Sequence, residues 1–234
     1  MERELKCIFG REDTATIIEI VSKVLEKKFW EGQERTKGKP QRDVYYDTLD
    51  LEYAKKEVSV RIRQKGDKLE GTYKAPTKSG TKVLFDRDEV PFAVEENSAE
   101  ALIEGAKKEG ITLSPDIIPL LGIINFRKKQ NFIKSVESVD GTKLELAIDD
   151  ELTFENLRTG ESIQSTQGEF ELEYKTDVSI EQAEKEIGEI WLSILRECAQ
   201  RNILITRSKD SKSIRGLKEI GLLGGKEKEE DIIK

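Results

Sequence analysis

The chain has 234 residues, 40 Lys+Arg against 47 Asp+Glu, and a formal net charge of −7. Charged residues make up 37% and the hydrophobic set 36%, yet strand- and helix-period apolar patterns run through almost the whole length, which excludes a disordered polyelectrolyte. There is no histidine, which excludes Ser-His-Asp and Cys-His catalysis and histidine-bound zinc, and no apolar run is long enough to span a membrane as a helix.

Residues 2–7 alternate, with Glu2, Glu4 and Lys6 on one face of a predicted strand and Arg3, Leu5 and Cys7 on the other. A helix follows, capped by Asp13 or Thr14, with Ile17, Ile18, Val21, Val24, Leu25 and Phe29 as its apolar stripe. Residues 32–40 read as a loop. Strands are predicted at 44–47, 57–64, 68–74 and 83–92, with a hairpin turn at Gly66-Asp67 and another turn at Ser79-Gly80. Residues 98–109 form a helix and 115–121 a shorter helical piece. Strands resume at 123–133, 143–150 and 169–175, with a turn at Asp140-Gly141. A long amphipathic helix spans 179–199, then a strand at 203–206 and a short helix near 212–220. No linker or repeat interrupts the pattern. The expected organisation is one α+β domain over residues 1–220 with a charged, frayed tail at 221–234.

The polar strand faces carry the chemistry. They hold Ser59, Arg61 and Arg63; Glu70, Thr72 and Lys74; Phe85, Arg87 and Glu89; Asn125, Arg127 and Lys129; Glu145, Ala147 and Asp149; and Glu169, Glu171 and Glu173. Taken singly, each is an ordinary solvated face. Jointly they are unusual, because residues 61–87 carry eight Lys/Arg against three acids in an acidic chain. Like charges about 4 Å apart repel by about 4 kcal/mol at an effective dielectric of about 20. Such clusters make sense if a polyanion and divalent cations sit among them, as in a barrel with a polar interior. Without histidine, metal would be held by hard oxygen donors, which favours Mg²⁺ or Mn²⁺.

These residues resemble the CYTH superfamily, the triphosphate tunnel metalloenzymes. Glu2-Arg3-Glu4-Leu5-Lys6 matches its N-terminal ExExK signature. The resemblance continues in order through Tyr46-Asp47-Thr48, Arg61-x-Arg63, Lys74, Arg87-x-Glu89, Arg127, the 145–149 strand, Glu169-x-Glu171-x-Glu173 and residues 211–216, covering about 1–217. It implies an eight-stranded antiparallel β-barrel with helices packed outside and a tunnel of opposing charges. It also implies Mg²⁺- or Mn²⁺-dependent hydrolysis of inorganic, thiamine or RNA 5′-triphosphates, or cyclisation of ATP.

Carried over residue by residue, the metal ligands are Glu2, Glu4, Glu89, Glu169 and Glu171, with Glu173 a looser match. Glu2 and Glu4 also count with Asp149 as catalytic, Asp149 matching a position associated with the attacking water. Lys6, Arg61, Arg63, Lys74, Arg87 and Arg127 match phosphate-gripping residues. Lys212 and Arg215 match a C-terminal SKxxRG-like element, with Lys209 an equally available cation.

The chemistry of triphosphate cleavage agrees with that set. Triphosphate cleavage needs a positioned chain, neutralised oxygen charge and a polarised water, and none of these needs histidine. The expected substrate is inorganic triphosphate. An adenylyl cyclase is the alternative, and a non-catalytic polyphosphate-binding protein is disfavoured by the paired acidic strands. Animal thiamine triphosphatases carry a tryptophan where Ser59 stands. A triphosphate-containing small molecule is the expected partner, with no nucleic-acid duplex, no membrane, and room for a homodimer. Two cysteines, Cys7 and Cys198, form no metal pair or disulfide framework, and with no apolar signal core in residues 1–6 a cytoplasmic location is expected. Trp30 and Trp191 are expected to pack.

Overall fold

A computed structural model describes residues 2–27, 29–77, 84–134, 143–176 and 178–224. The strands are β1 (Glu2–Gly10), β2 (Phe29–Asp47), β3 (Ser59–Lys65), β4 (Lys68–Pro76), β5 (Phe85–Ala93), β6 (Ile118–Lys134), β7 (Lys143–Asp149), β8 (Thr153–Asn156), β9 (Ser162–Gln164), β10 (Gln167–Tyr174) and β11 (Ile205–Arg207). The α-helices are α1 (Thr14–Glu26), α2 (Ala99–Lys108), α3 (Ile180–Gln200) and α4 (Lys212–Glu219). The expected turns at Ser79-Gly80 and Asp140-Gly141 and most of the charged tail lie outside the described residues. Among the described residues, no helix is long and apolar enough to cross a membrane.

The protein is mixed α+β, built on one large antiparallel sheet. Pairing runs β2-β3-β4-β5-β1-β10-β7-β6, and β2 and β6 also pair with each other. β8 and β9 extend from β6, and β11 joins β1. Gly66 supports the two-residue β3–β4 turn with φ +63°, between Lys65 and its partner Lys68. A side chain would strain that conformation.

Two segments depart from expectation. Residues 32–40 are part of β2 and not a loop. The β2–β6 ladder carries through their Gly, Lys and Pro residues by register shifts between Glu31 and Arg35 and between Thr36 and Lys39. Residues 118–121 start β6 and are not helical. Their apolar spacing suits either structure, and pairing to Asp47, Tyr46 and Tyr45 decides for strand. Pro119 sits at a bulge beside Tyr46, where a missing N–H is tolerated. The short strands β8 and β9 have no counterpart in the sequence reading. α1 ends at Glu26, so Phe29 belongs to β2.

Strand alternation divides the sheet into an apolar face and a charged opposite face. Leu5, Cys7 and Phe9 of β1, Leu144, Leu146 and Ile148 of β7, and Phe170, Leu172 and Tyr174 of β10 join Ile17, Val21 and Leu25 of α1 and Ile187, Ile190 and Ile194 of α3 in one core. Trp191 packs on its edge, as expected, while the Trp30 side chain lies outside the described residues. A second core joins Val60, Ile62 and Phe92 to Leu102 and Ala106 of α2. There α2 and the sheet approach so closely that a Cβ on Gly105 would lie 2.7 Å from the Phe92 ring. Each large side chain buried this way contributes about 1.5–3 kcal/mol. Burial pushes both thiols up, Cys198 to about 11, which suits packing and not thiolate chemistry. With the apolar face covered by helices, the charged face must answer its own charges.

Candidate functional site

One cavity of about 160 Å³ gathers side chains from β1 to β6, β10 and α4. Its two sides differ in charge.

The acid-rich side is built by β1, β7 and β10, with Arg127 of β6 and α4 laid against them. Register pairs Glu169 with Asp149, Lys6 with Glu171 and Glu4 with Glu173. Asp149, Glu169 and Glu171 bring carboxylate oxygens within 4.8 Å of one another, and all three are buried. Lys212 Nζ lies 2.6 Å from Asp149 Oδ2, 3.1 Å from Glu169 Oε1 and 3.7 Å from Glu171 Oε1. Arg127 donates from Nη1 to Asp149 Oδ2 at 2.8 Å and from Nη2 to Glu171 Oε2. Arg215 Nη1 donates to Glu169 Oε2. Asn125 Nδ2 donates to Asp149 Oδ1 at 3.0 Å. Lys6 Nζ sits 3.0 Å from Glu4 and 3.3 Å from Glu171.

Burial alone would raise the Glu171 carboxyl, but the charges of Arg127, Lys212 and Lys6 outweigh it and hold it well below the usual carboxylate range. Burial likewise opposes the charged form of Lys212, and Asp149, Glu169 and Glu171 reverse that, so its ammonium is held more firmly than a free lysine's.

α4 reaches this nest because of its cap and its apolar side. The Ser211 hydroxyl accepts from Ile214 N–H at 3.2 Å, and Ile214 and Leu217 pack with Leu121 and Phe154. Gly216 allows the contact, since a Cβ there would meet Leu121 and Phe154 at under 3.0 Å. Lys212 and Arg215, three apart, then share a face toward the carboxylates. Lys209 is exposed, so the structure separates two cations that the sequence left equivalent.

The base-rich side comes from β2 to β5. Arg63 donates to Asp43 from Nε at 2.7 Å and Nη2 at 2.6 Å, and Arg61 Nη1 reaches the same carboxylate at 3.3 Å. Glu89 lies 3.2 Å from Lys74 and 3.8 Å from Arg61. Arg87 Nη2 donates to the carbonyl oxygens of Glu57 at 2.8 Å and Lys74 at 3.0 Å, tying the start of β3 to β4 and β5. Burial pushes the Asp43 carboxyl up, but Arg63 and Arg61 overcome it and bring it to about 2. Arg61 Nε, Thr72 Oγ1 and Arg215 Nη2 are buried without a hydrogen-bond partner. Unpaired donors of this kind are costly, and of the three residues Arg61 lines the cavity, where an anionic oxygen could reach it.

Lys6, Arg61, Arg63, Lys74, Arg87, Arg127, Lys212, Glu4, Glu89 and Glu171 all line the cavity, and Asp149, Glu169 and Arg215 back it. The backbone of Glu2 pairs with Arg87, while its side chain lies outside the described residues. Asp43 and Tyr45 were missed by sequence reasoning. Tyr45 lines the cavity beside Arg61. Asp43 falls just before the strand expected at 44–47 and Tyr45 inside it; both lie within β2, and their alternation with Val44 and Tyr46 was a signal.

The domain profile described as CYTH matches residues 3–208. Among solved structures, a putative adenylyl cyclase from Hippeastrum, HpAC1, described as revealing a dominant triphosphatase activity, is 16% identical, with 95% of this chain and 97% of that chain covered and a TM-score of 0.53. A putative adenylate cyclase from Bacillus halodurans is 18% identical, with 91% and 94% covered and a TM-score of 0.48. At these identities the Hippeastrum likeness shows the fold alone. No curated protein matches the sequence.

Proposed function

The chain belongs to the CYTH family, and from that premise we propose that it is a divalent-metal-dependent triphosphatase acting first on inorganic triphosphate, held inside a closed eight-stranded barrel. The pairing of β2 with β6 supports closure, because it gives each of the eight strands two neighbours. The observation that carries the activity is the cavity itself, with Arg61, Arg63 and Lys74 on one side and the Asp149, Glu169 and Glu171 nest behind Lys212 and Arg127 on the other. The Hippeastrum protein, named a putative cyclase yet described with a dominant triphosphatase activity, supports placing hydrolysis ahead of cyclisation.

The donor set fits a hard cation. The three carboxylates are oxygen donors of the right spacing, and the chain offers no histidine. Asp149, Glu169 and Glu171 would hold Mg²⁺ or Mn²⁺, with Glu4 and Glu2 completing the set. Such an ion would lower the pKa of a bound water and neutralise phosphate oxygens. Glu89, which lines the same cavity beside Lys74 and Arg61, also belongs to the expected ligand set.

The chain's own residues do the rest. The forks of Arg61 and Arg63 and the point charges of Lys6 and Lys74 align an extended polyanion. Arg127, between the nest and the cavity, faces the oxygens of the transferred phosphoryl group, where charge spreads in the transition state. Asp149, held by Asn125, Arg127 and Lys212, orients the attacking water. Arg87 holds strand ends together and adds positive potential. Ser59 adds no aromatic ring from β3 to the Arg61–Arg63 face, where the ring that lines the cavity is Tyr45 of β2.

The test is kcat/KM for triphosphate, pyrophosphate and ATP at fixed Mg²⁺, reading phosphate and cyclic AMP as separate products. Triphosphate should lead, since pyrophosphate forfeits several charge-assisted hydrogen bonds worth about 1.5–3 kcal/mol each. A lead for ATP with cyclic AMP as product would install the cyclase reading, and parity with pyrophosphate would refute the extended grip.

A further inference from the structure

The carboxylates that suit a divalent cation already hold a cation of the protein's own. Lys212 Nζ is within 3.7 Å of Asp149, Glu169 and Glu171 together, the same three groups whose oxygens converge to within 4.8 Å. Arg127 bridges Asp149 and Glu171, Arg215 meets Glu169, and Lys6 meets Glu171. Lys212 is the group placed at the centre of the nest.

We infer that Lys212 is a place-holder for the divalent cation: its ammonium occupies the nest in the substrate-free protein and gives it up, on triphosphate arrival, by moving onto phosphate oxygens. The destination of the ammonium rests on the triphosphate reading; its competition with metal does not.

Charge is the first reason. Among the described residues, the carboxylates Glu4, Asp149, Glu169 and Glu171 face Lys6, Arg127, Lys212 and Arg215. Those four pairs balance, and Glu145 and Glu173 against Lys175 add one net negative charge, so the two charges of an added dication would still not be compensated, which a low-dielectric site penalises heavily. Entry therefore needs a cation to leave and an anion to arrive.

Side-chain chemistry is the second reason. An ammonium is a compact point charge on a flexible four-carbon stem, and of the two nest cations that α4 brings in from outside the strands, Lys212 is the ammonium and Arg215 the planar fork. α4 is fixed independently by its Ser211 cap and by Ile214 and Leu217, so the side chain moves without undocking the helix.

The third reason is Arg215. Its Nη2 is buried without a hydrogen-bond partner, although the residue is only 6% exposed. α4 thus holds, beside the Glu169 carboxylate that Lys212 shares, a donor already short of an oxygen.

It follows that the substrate-free protein binds metal weakly and that metal and triphosphate load together. The experiment uses the full chain and Mn²⁺ alone, titrated while the electron paramagnetic resonance of the free ion is followed. Lys212→Met, checked for folding by near-ultraviolet circular dichroism, should bind Mn²⁺ about tenfold tighter than wild type or better, since a like charge has left the nest. Lys212→Arg keeps the charge and should bind as weakly as wild type. Lys212→Gln takes the place of the methionine variant should that fail to fold. Binding by the neutral variant no tighter than wild type overturns the inference, as does an arginine variant that binds as tightly as the neutral one. No substrate enters this titration. A wild type that fails to cleave triphosphate would sink the proposed function and leave the competition result standing.

Discussion

The two sides of the cavity use similar charges to opposite ends. On the acid-rich side, Glu4, Glu145, Asp149, Glu169, Glu171 and Glu173 outnumber Lys6, Arg127, Lys175, Lys212 and Arg215. On the base-rich side, Arg61, Arg63, Lys74 and Arg87 outnumber Asp43, Glu70 and Glu89. Asp43 serves two guanidiniums at once, whereas Lys212 serves three carboxylates. The shared counter-ion is the informative feature. A group that answers several opposite charges leaves each partly unanswered, and an arriving ligand of its own sign can replace it. By this logic the base-rich side awaits anionic oxygens, and the acid-rich side awaits a cation.

Removing the shared acid is the largest test of that contrast. Asp43→Ala leaves Arg61 and Arg63 mostly buried without their carboxylate, which should cost about 3–5 kcal/mol in urea denaturation. Triphosphate should recover part of the loss by supplying oxygens to the same forks. A variant as stable as wild type would show that these guanidiniums do not depend on Asp43.

On the opposite side the expected loss is in rate. Glu171→Gln, which keeps the shape and removes the charge, should lower kcat at least 100-fold, about 2.7 kcal/mol, while the melting curve stays cooperative. Retention of more than a tenth of wild-type kcat would remove Glu171 from the reacting site.

Ligand binding sharpens the comparison from the anion side. If triphosphate binds only the folded state, it should stabilise by about 2.7 kcal/mol at 100 times its Kd. Chloride at equal ionic strength should do far less, and Arg61→Ala should shrink the triphosphate shift. Equal shifts with both salts would reduce the effect to screening.

The smallest effect is the pH response of Asp43. Its folded-state pKa of about 2 lies below the unfolded value of 3.8. A depressed carboxylate contributes stability that is fully present above the unfolded pKa and is lost as pH falls through the folded one, here between about pH 5 and pH 2. The contribution is on the order of 2 kcal/mol. Asp43→Asn should flatten the wild-type dependence of unfolding free energy across that window, and an unchanged slope would assign the acid sensitivity elsewhere.

How much of this was legible depends on period and pairing. The alternation in Arg61-Ile62-Arg63 and in Glu169-Phe170-Glu171-Leu172-Glu173 shows one apolar and one charged face before any contact is known, because strand side chains alternate strictly. Gly66-Asp67 likewise marks its own turn. Asp43 stayed hidden because it follows Lys39-Pro40-Gln41-Arg42, a polar stretch that reads as loop. Its strand exists through the ladder to β6, a non-local partner that local propensity does not encode. The same ladder converted residues 118–121 from an expected helix into strand.

The sequence by itself determined the charged strand faces, the absence of imidazole chemistry and the family resemblance, since these depend only on residue type, order and period. Tertiary structure decided which charges meet. Lys209 and Lys212 are equivalent cations on paper, and the docking of Ile214 and Leu217 against Leu121 and Phe154 puts Lys212 among three carboxylates while Lys209 stays exposed. Ion pairing depends on distances of a few ångströms between strands and helices far apart in the chain, and only packing sets those distances.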